Sequence, residues 1–265
     1  MTKKNNQPIG VLDSGIGGLT IWKEIVNLLP HESTVYIADS KNCPYGSRPR
    51  EEIYRLVRRL VQFLLEKQCK LIVLACNTIT VSCLDTLRDE FPKVPIVGAV
   101  PVVKTAAEQT KNCKIGILST TRTAKSKYQK DLIERFAGNC EVINFGTNKL
   151  VPLIEEGENN TSIIRIIEVK IQPFKDAGVD VLALGCSHFP LIRDQIQKIL
   201  GSKVLVLDSG EAIGRQVKRV LQGRIQRANL SNKPWHEFYT TGKTERFSEI
   251  LASIGYNKPV RKIDL

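Results

Sequence analysis

The sequence contains no apolar run long enough to cross a membrane. Its longest runs, at 71–76 and 179–186, are far shorter than the about 20 residues that a transmembrane helix needs. Residues 1–8 are polar and carry two lysines with no apolar segment behind them, which is not the pattern of a secretory signal. The sequence therefore predicts a soluble, cytoplasmic protein with no membrane partner.

Paired cysteine motifs are also absent, because none of the seven cysteines lies in a CxxC pair. Disulfide frameworks occur mainly in small secreted domains, and zinc sites show tighter clustering of their ligands. The sequence thus predicts free thiols and no metal site. Five thiols lack any repeated context and are predicted to be structural: Cys43, Cys69, Cys83, Cys113 and Cys140.

No recognised nucleic-acid-binding signature accompanies the net charge of +12. Basic residues cluster in two places, with Arg55, Arg58 and Arg59 on one face of a helix predicted at 51–67 and Lys258, Arg261 and Lys262 near the end. Neither cluster interleaves aromatic residues as a groove for single-stranded nucleic acid would. We therefore interpret the excess charge as a solvated surface.

Short β-branched runs alternate with amphipathic stretches along the chain. Most runs are continuously apolar, as in parallel strands that helices cover on both faces, so the predicted fold class is α/β. Strands are predicted at 9–12, 34–38, 71–75, 96–99, 114–118, 141–145, 181–184 and 204–207. Helices are predicted at 53–65, 126–136, 163–177 and 190–200, with one more after Asp208.

The chain also resembles itself. KLIVLACNTIT at 70–80 resembles DVLALGCSHFP at 180–190, IGVLDSG at 9–15 resembles IGILSTT at 115–121, and VPIVGAV at 94–100 resembles KVLVLDS at 203–209. Three matches in one order at nearly one spacing predict two similar α/β domains with mostly parallel sheets, related by a pseudo-twofold axis. The predicted domains are 1–98 with a tail, 208–265, that packs back on it, and 99–207.

Polar clusters follow several predicted strands, where open parallel sheets gather their ligands. These clusters are Asp13-Ser14-Gly15, Cys76-Asn77-Thr78, Thr120 to Thr123 and Cys186-Ser187-His188. The glycine-rich segment DSGIGG at 13–18 lacks the GxGxxG spacing of a dinucleotide site, so no nucleotide cofactor is inferred. Asp13 and Ser14 could alternatively serve only as a helix N-cap.

Cys76 and Cys186 are related by the repeat, and each ends an apolar strand. Two domains facing across a cleft would place the two thiols on opposite sides of one ligand. Inversion of a stereocentre by two bases needs this geometry, since one group removes a proton from one face and the other returns it to the opposite face. Both cysteines precede predicted helices, so we expect lowered thiol pKa values.

Other polar groups at these turns suit an amino acid with two carboxylates. Asp13 is predicted to assist Cys76, and His188 to assist Cys186 or to bind a substrate carboxylate. Neutral hydrogen-bonding side chains are offered by Ser14, Asn77, Thr78, Thr120, Thr123 and Ser187.

Five segments resemble the ordered signatures of the glutamate racemases: DSGIGG at 13–18, ADSKNCPYG at 38–46, ACNT at 75–78, TTRTAKSKY at 120–128 and GCSHFP at 185–190. The resemblance implies interconversion of L- and D-glutamate with no cofactor, neither pyridoxal phosphate nor metal. It also implies a bacterial cytoplasmic enzyme that supplies D-glutamate for peptidoglycan, and a homodimer is expected.

Carried onto this chain, the resemblance implies that the catalytic thiols are Cys76 and Cys186. It implies that Asp13 and His188 assist them and that Glu155, in LVPLIEEG, holds or tunes His188. Substrate contacts are implied for Asp13, Ser14, Tyr45, Gly46, Asn77, Thr78, Ser187 and His188.

Two departures from the family pattern are present. GCSHFP stands where GCTHYP is usual, so Ser187 keeps a hydroxyl donor without the methyl group, and Phe189 replaces tyrosine. Ile79 and Thr80 replace the small residues that usually follow ACNT, and we expect them to change packing rather than activity.

Three alternatives stay open on sequence alone. A related two-cysteine enzyme acting on aspartate or a hydantoin would share the chemistry and differ in its side-chain pocket. A nucleic-acid or DNA gyrase partner would rest only on the positive charge. A relative that has lost catalysis is disfavoured, because both cysteines, Asp13 and His188 are present.

Overall fold

A computed structural model describes residues 6–157, 161–225 and 227–265. Its strands are β1 (Ile9–Asp13), β2 (Thr34–Ala38), β3 (Leu71–Leu74), β4 (Ile96–Gly98), β5 (Lys114–Ser119), β6 (Glu141–Gly146), β7 (Val181–Gly185), β8 (Leu205–Leu207), β9 (His236–Thr240) and β10 (Val260–Lys262). All eight predicted strands are confirmed, with ends that differ by at most one residue.

The helices alternate with these strands. They are α1 (Leu19–Leu28), α2 (Arg50–Glu66), α3 (Asn77–Glu90), α4 (Val103–Gln109), α5 (Thr121–Lys125), α6 (Lys127–Ala137), α7 (Leu150–Glu156), α8 (Thr161–Asp176), α9 (Arg193–Leu200), α10 (Gly210–Arg224) and α11 (Glu245–Ser253). Short 3-10 turns occupy Ser40–Asn42 and Phe189–Ile192. None of the described helices is long and apolar enough to span a bilayer.

The strands form two sheets, and every strand pairing in the described residues is parallel. One sheet has the order β10-β9-β2-β1-β3-β4 and the other the order β6-β5-β7-β8. The order β2-β1-β3-β4 is repeated as β6-β5-β7-β8, so the predicted pair of similar α/β units is confirmed. The strands that end before Cys76 and Cys186, β3 and β7, hold the same place in the two sheets.

The tail of the chain adds β9 and β10, which the sequence did not predict. β9 pairs with the outer edge of β2, and β10 pairs with β9. β9 reads HEFYT, with polar residues at its start, so it lacks the continuous apolar run that identified the other strands. In the same tail, α10 packs on α1, where a Cβ added at Gly214 would lie 2.7 Å from Cδ1 of Leu28.

Each face of the larger sheet is covered by apolar helix surfaces. Helix α1 places Leu19, Trp22 and Ile25 in the core on one side, at the spacing of one helix face. Trp22 is fully buried, and its Nε1 donates a hydrogen bond of 2.8 Å to Oγ1 of Thr34. Trp235, by contrast, is 44% exposed.

Two of the predicted free thiols form a disulfide bond, Cys113–Cys140. Cys113 directly precedes β5 and Cys140 directly precedes β6, and these neighbouring parallel strands begin side by side. The two Cα atoms are consequently 4.7 Å apart, although 27 residues separate them in sequence. The prediction of free thiols is confirmed for Cys43, Cys69, Cys76, Cys83 and Cys186.

A buried ion pair joins the start of β3 to the loop before β2. Nζ of Lys70 lies 2.6 Å from Oε2 of Glu32, and both side chains are 3% exposed. The second carboxylate oxygen of Glu32 accepts a hydrogen bond of 2.8 Å from the backbone N–H of Ala228, in the tail. One side chain therefore ties three separated segments together.

We expect Glu32→Gln to lower the free energy of unfolding by about 3–5 kcal/mol, because it removes the negative member of a buried pair. Urea unfolding measures the effect. Glu211→Gln serves as the control, since it removes an exposed i,i+4 pair with Arg215 and should change the free energy by less than about 0.5 kcal/mol. Equal losses in the two variants would contradict this role of Glu32.

Candidate active site

The polar clusters lie at the carboxyl ends of the central strands of both sheets. Asp13 ends β1 and Cys76 follows β3 in the larger sheet, while Thr120 follows β5 and Cys186 follows β7 in the smaller one. Contacts between the two sets bring residues of the two sheets together, as described below. The site is thus built from equivalent turns of the repeated unit.

Cys76 is buried at the start of α3, 5% exposed, with its Sγ 3.6 Å from Oγ of Ser14. Burial, followed by the nearby Asp13 carboxyl, raises the pKa of Cys76 to about 12, despite hydrogen bonds from Ile79 and Ser14 that lower it. The expected lowering of this pKa is therefore wrong, because the loss of water outweighs the helix N-terminus. The charge of the Cys186 thiolate also raises the pKa of Cys76.

Cys186 is 6% exposed, and its side chain contributes to raising the pKa of His188, two residues further along the chain. The imidazole Nε2 of His188 lies 2.5 Å from Oε1 of Glu155, which also accepts a hydrogen bond of 2.8 Å from the backbone N–H of Ile16. Burial lowers the pKa of His188, but hydrogen bonds to Cys186, Cys43 and Glu155 outweigh it and hold the pKa well above 6.5. His188 is accordingly placed to act as a cation beside Cys186.

Asp13 connects the two sets of turns. Its Oδ2 accepts a hydrogen bond of 2.9 Å from the backbone N–H of Gly15, and its Oδ1 accepts one of 2.9 Å from the Ser187 hydroxyl. Burial raises the pKa of Asp13 above 3.8, against the charge of His188 and these two hydrogen bonds. Helix α1 begins at Leu19 without a side-chain cap, so the alternative of Asp13 as an N-cap is wrong.

The glycines of DSGIGG allow this loop to approach His188 and Glu155 closely. A Cβ at Gly15 would lie 1.9 Å from Oε1 of Glu155, and one at Gly17 would lie 2.5 Å from Nδ1 of His188. Real Cβ contacts are essentially never below 3.0 Å. The glycines therefore serve close packing of the site.

Three threonines form a hydrogen-bonded chain across the site. Oγ1 of Thr78 lies 2.8 Å from Oγ1 of Thr120, which in turn donates to Oγ1 of Thr123 at 3.0 Å. Beside them, Asn77 is 1% exposed, and neither its Nδ2 nor its Oδ1 has a hydrogen-bond partner. Because a buried amide without partners is costly, Asn77 is suited to bind a polar ligand.

Tyr45 and Gly46 border the same threonines. The Tyr45 hydroxyl donates to Oδ2 of Asp39, and Tyr45 is 1% exposed, so its hydroxyl is directed to the protein rather than to a ligand. A Cβ at Gly46 would lie 2.5 Å from Oδ1 of Asn148 and 3.2 Å from Cβ of Thr120. A ligand at this position would therefore contact the backbone of Tyr45 and Gly46 and not the Tyr45 hydroxyl.

Cys43 also lies at the site, although the sequence analysis treated it as structural. It is half-buried, its Sγ lies within 4.8 Å of ligand atoms of His188 and Glu155, and burial raises its pKa to about 11. The repeat could not identify it, because Cys43 follows the 3-10 turn Ser40–Asn42, outside the repeated strand ends. Its position within ADSKNCPYG, next to the predicted Tyr45, was the available signal.

The residues that depart from the family pattern are buried or hydrogen-bonded within the protein. Ile79 and Phe189 are fully buried. The Thr80 hydroxyl donates a hydrogen bond of 3.0 Å to the backbone carbonyl of Cys76. Ser187 retains the hydroxyl contact to Asp13 described above, so the missing methyl group does not remove the donor.

Comparisons with known proteins agree with this geometry. A family model described as Asp/Glu/Hydantoin racemase matches residues 9–217. The chain is 38% identical over 253 residues to a glutamate racemase from Enterococcus faecalis, with 94% of this chain and 92% of that protein covered.

Solved structures give the same result. Glutamate racemase isoform RacE1 from Bacillus anthracis matches with a TM-score of 0.89 and 33% identity, covering 98% of each chain. A glutamate racemase from Francisella tularensis in complex with D-glutamate matches with a TM-score of 0.84 and 28% identity, also covering 98% of each chain. The chain therefore belongs to the Asp/Glu/Hydantoin racemase family and, within it, to the glutamate racemases.

Proposed function

We propose that this enzyme interconverts L- and D-glutamate through two thiols, Cys76 and Cys186, without a cofactor. The observation that carries the proposal is the placement of two buried free cysteines at equivalent turns, after β3 and β7 of the repeated unit. The relatives described above are glutamate racemases, and one is solved with D-glutamate. Aspartate or hydantoin as substrate and a nucleic-acid role are less favoured, since the relatives described above, at 28–38% identity, are named for glutamate.

In this mechanism one thiolate removes the α-proton from one face of glutamate, and the opposite thiol delivers a proton to the other face. Each thiol has its own assisting group. The Asp13 carboxyl raises the pKa of Cys76, and His188 lies two residues after Cys186 and interacts with its side chain. With a pKa of about 12, Cys76 is a neutral thiol at neutral pH before substrate binds, so the assisting carboxylate is needed to accept its proton.

Glu155 is a positioning residue that acts through His188. Its Oε1 lies 2.5 Å from Nε2 of the imidazole and fixes the orientation of the ring. This pairing also keeps His188 cationic, which favours binding of the substrate carboxylate. Asp13 and His188 thereby give the two sides of the site opposite charges. Such a difference lets one thiol start as the base and the other as the acid.

Substrate binding is proposed for the neutral donors and acceptors around the thiols. The unpartnered amide of Asn77 is the strongest candidate for a polar group of glutamate. The remaining contacts are assigned to Ser14, Thr78, Thr120, Thr123, Ser187, His188, Asp13 and the backbone at Tyr45 and Gly46. Hydrogen bonds of this kind to a carboxylate are stronger than those between neutral groups.

We also propose that the chain has two domains, one formed by 1–98 together with 208–265 and the other by 99–207. The two separate sheets and the pairing of β9 with β2 support this division.

We further propose a homodimer in the bacterial cytoplasm that supplies D-glutamate for peptidoglycan. Light scattering of the purified protein tests the dimer.

The activity is tested by incubating the purified protein with D-glutamate in D₂O and no added cofactor, while following circular dichroism and the α-proton NMR signal. We expect the optical activity to decay and deuterium to enter the α-carbon. D-aspartate serves as the matched control and should remain unchanged. Exchange with aspartate alone would overturn the substrate assignment, and exchange with neither acid would overturn the racemase mechanism.

A further inference from the structure

We propose that Cys43, His188 and Glu155 form a binding site for a zinc-like divalent cation that reversibly inhibits the enzyme. Sγ of Cys43, an imidazole nitrogen and a carboxylate oxygen all lie within 4.8 Å of one another. Thiolate, imidazole and carboxylate are the three ligand types by which proteins bind zinc. The cluster thus offers three donors and leaves a fourth position open, as in zinc sites that exchange a ligand.

The three donors come from separate parts of the fold. Cys43 follows the turn Ser40–Asn42, Glu155 lies near the end of α7, and His188 lies just after β7. Zinc bonds of about 2.0–2.3 Å in a tetrahedral site separate the ligand atoms by roughly 3.5 Å. To bind the ion, His188 Nε2 and Glu155 Oε1, which are 2.5 Å apart, would therefore separate by about an ångström, while Cys43 Sγ, within 4.8 Å of both ligands, would move closer by up to a similar amount.

Outer hydrogen bonds already orient these ligands. The backbone N–H of Ile16 donates to Oε1 of Glu155 at 2.8 Å. Oγ of Ser187 lies 3.5 Å from Nδ1 of His188 and donates to Asp13. Partners of this kind fix the direction of metal ligands and strengthen binding.

The cluster is open to ions from solvent on one side. The Glu155 side chain is 17% exposed and lines a cavity of about 910 Å³ together with Ile16 and Lys41. Cys43 is half-buried, unlike the buried Cys76 and Cys186. An ion can therefore reach Glu155 from this cavity without unfolding of the core.

Bound metal would displace the Cys43 thiol proton and the proton shared by His188 and Glu155, and buffer would take up both. His188 would then no longer be available to assist Cys186, with whose side chain it interacts. Inhibition follows from this loss and rests on the proposed function. Metal binding itself does not depend on which substrate the enzyme uses.

The test is a titration of the full chain, with its disulfide intact, by Co²⁺ and then by Zn²⁺ in competition. Thiolate-to-cobalt absorption reports binding at a cysteine. We expect Cys43→Ser to weaken Co²⁺ binding by at least about 10- to 100-fold, the loss typical even of outer partners of metal ligands. Cys43→Ala, which retains no donor, should do the same, and Cys69→Ser is the matched control at a buried thiol in the core.

Racemisation is measured in parallel, with each variant compared with its own rate without metal. We expect Zn²⁺ to inhibit the wild type and the concentration for half-inhibition to rise in Cys43→Ser by the same factor as the binding constant. Unchanged Co²⁺ binding in both Cys43 variants would overturn the site, and metal binding without inhibition would overturn its inhibitory role. Metal binding in a protein that fails to racemise glutamate would count against the proposed function alone.

Discussion

Replacing either Cys76 or Cys186 by serine is expected to lower kcat for racemisation by about 10²- to 10⁴-fold, the range that one general acid or base contributes. Both thiols are needed in every turnover, because one removes the α-proton and the other delivers a proton to the opposite face. Serine retains the size and a hydroxyl group but does not ionise near neutral pH, so it cannot serve as the base. The circular dichroism of L- and D-glutamate measures the rates.

The two variants should also differ from each other. Since each retains one thiol, any residual exchange of the α-proton with D₂O should favour one enantiomer in Cys76→Ser and the opposite enantiomer in Cys186→Ser. Cys83→Ser is the control, because Cys83 is a buried free thiol on α3 without a described role in the site. Racemisation near the wild-type rate in either of the first two variants would refute the two-thiol mechanism.

Gly17→Ala should lower kcat/KM by about 10²-fold, although alanine is the smallest possible addition. The new Cβ would lie 2.5 Å from Nδ1 and 2.6 Å from the backbone nitrogen of His188. A backbone atom cannot rotate away as a side chain can, so the turn that carries Cys186 and His188 must shift. A displacement of about 1 Å at a reacting group is sufficient for a rate loss of this size.

Gly223→Ala provides the matched control for this substitution. Gly223 lies within α10, and no atom lies within 4 Å of a Cβ placed there. This variant should retain full activity and gain up to about 0.5–1 kcal/mol in the free energy of unfolding, because glycine is unfavourable within a helix. Activity of Gly17→Ala within twofold of wild type would contradict the close contact with His188.

The internal repeat made the main features of the site predictable from sequence. It related Cys76 to Cys186 and placed both after parallel strands, and the order of strands in the two sheets agrees with that prediction. The pairing of Glu155 with His188 was implied by family resemblance, and the structure has the two side chains in contact. Periodicity could not have indicated it, since 33 residues separate them.

Other features depended on contacts that no local pattern encodes. The Cys113–Cys140 bond arises because β5 and β6 start side by side, and Cys43 reaches His188 from a turn outside the repeat. The pKa of Cys76 was expected to be low because helix position is visible in sequence, whereas the depth of burial is not. Strand β9 was missed because pairing with β2, rather than its own composition, determines its structure.

The hydrogen bonds within the site also join the two sheets, with a consequence for how substrate enters. Ser187 with Asp13 and Ile16 with Glu155 bridge turns that belong to different sheets, as does one pair of threonine hydroxyls. At about 0.5–1.5 kcal/mol each, these three bonds add a few kcal/mol to the free energy needed to separate the two sheets. Any motion that parts the sheets to admit a ligand must therefore break these bonds.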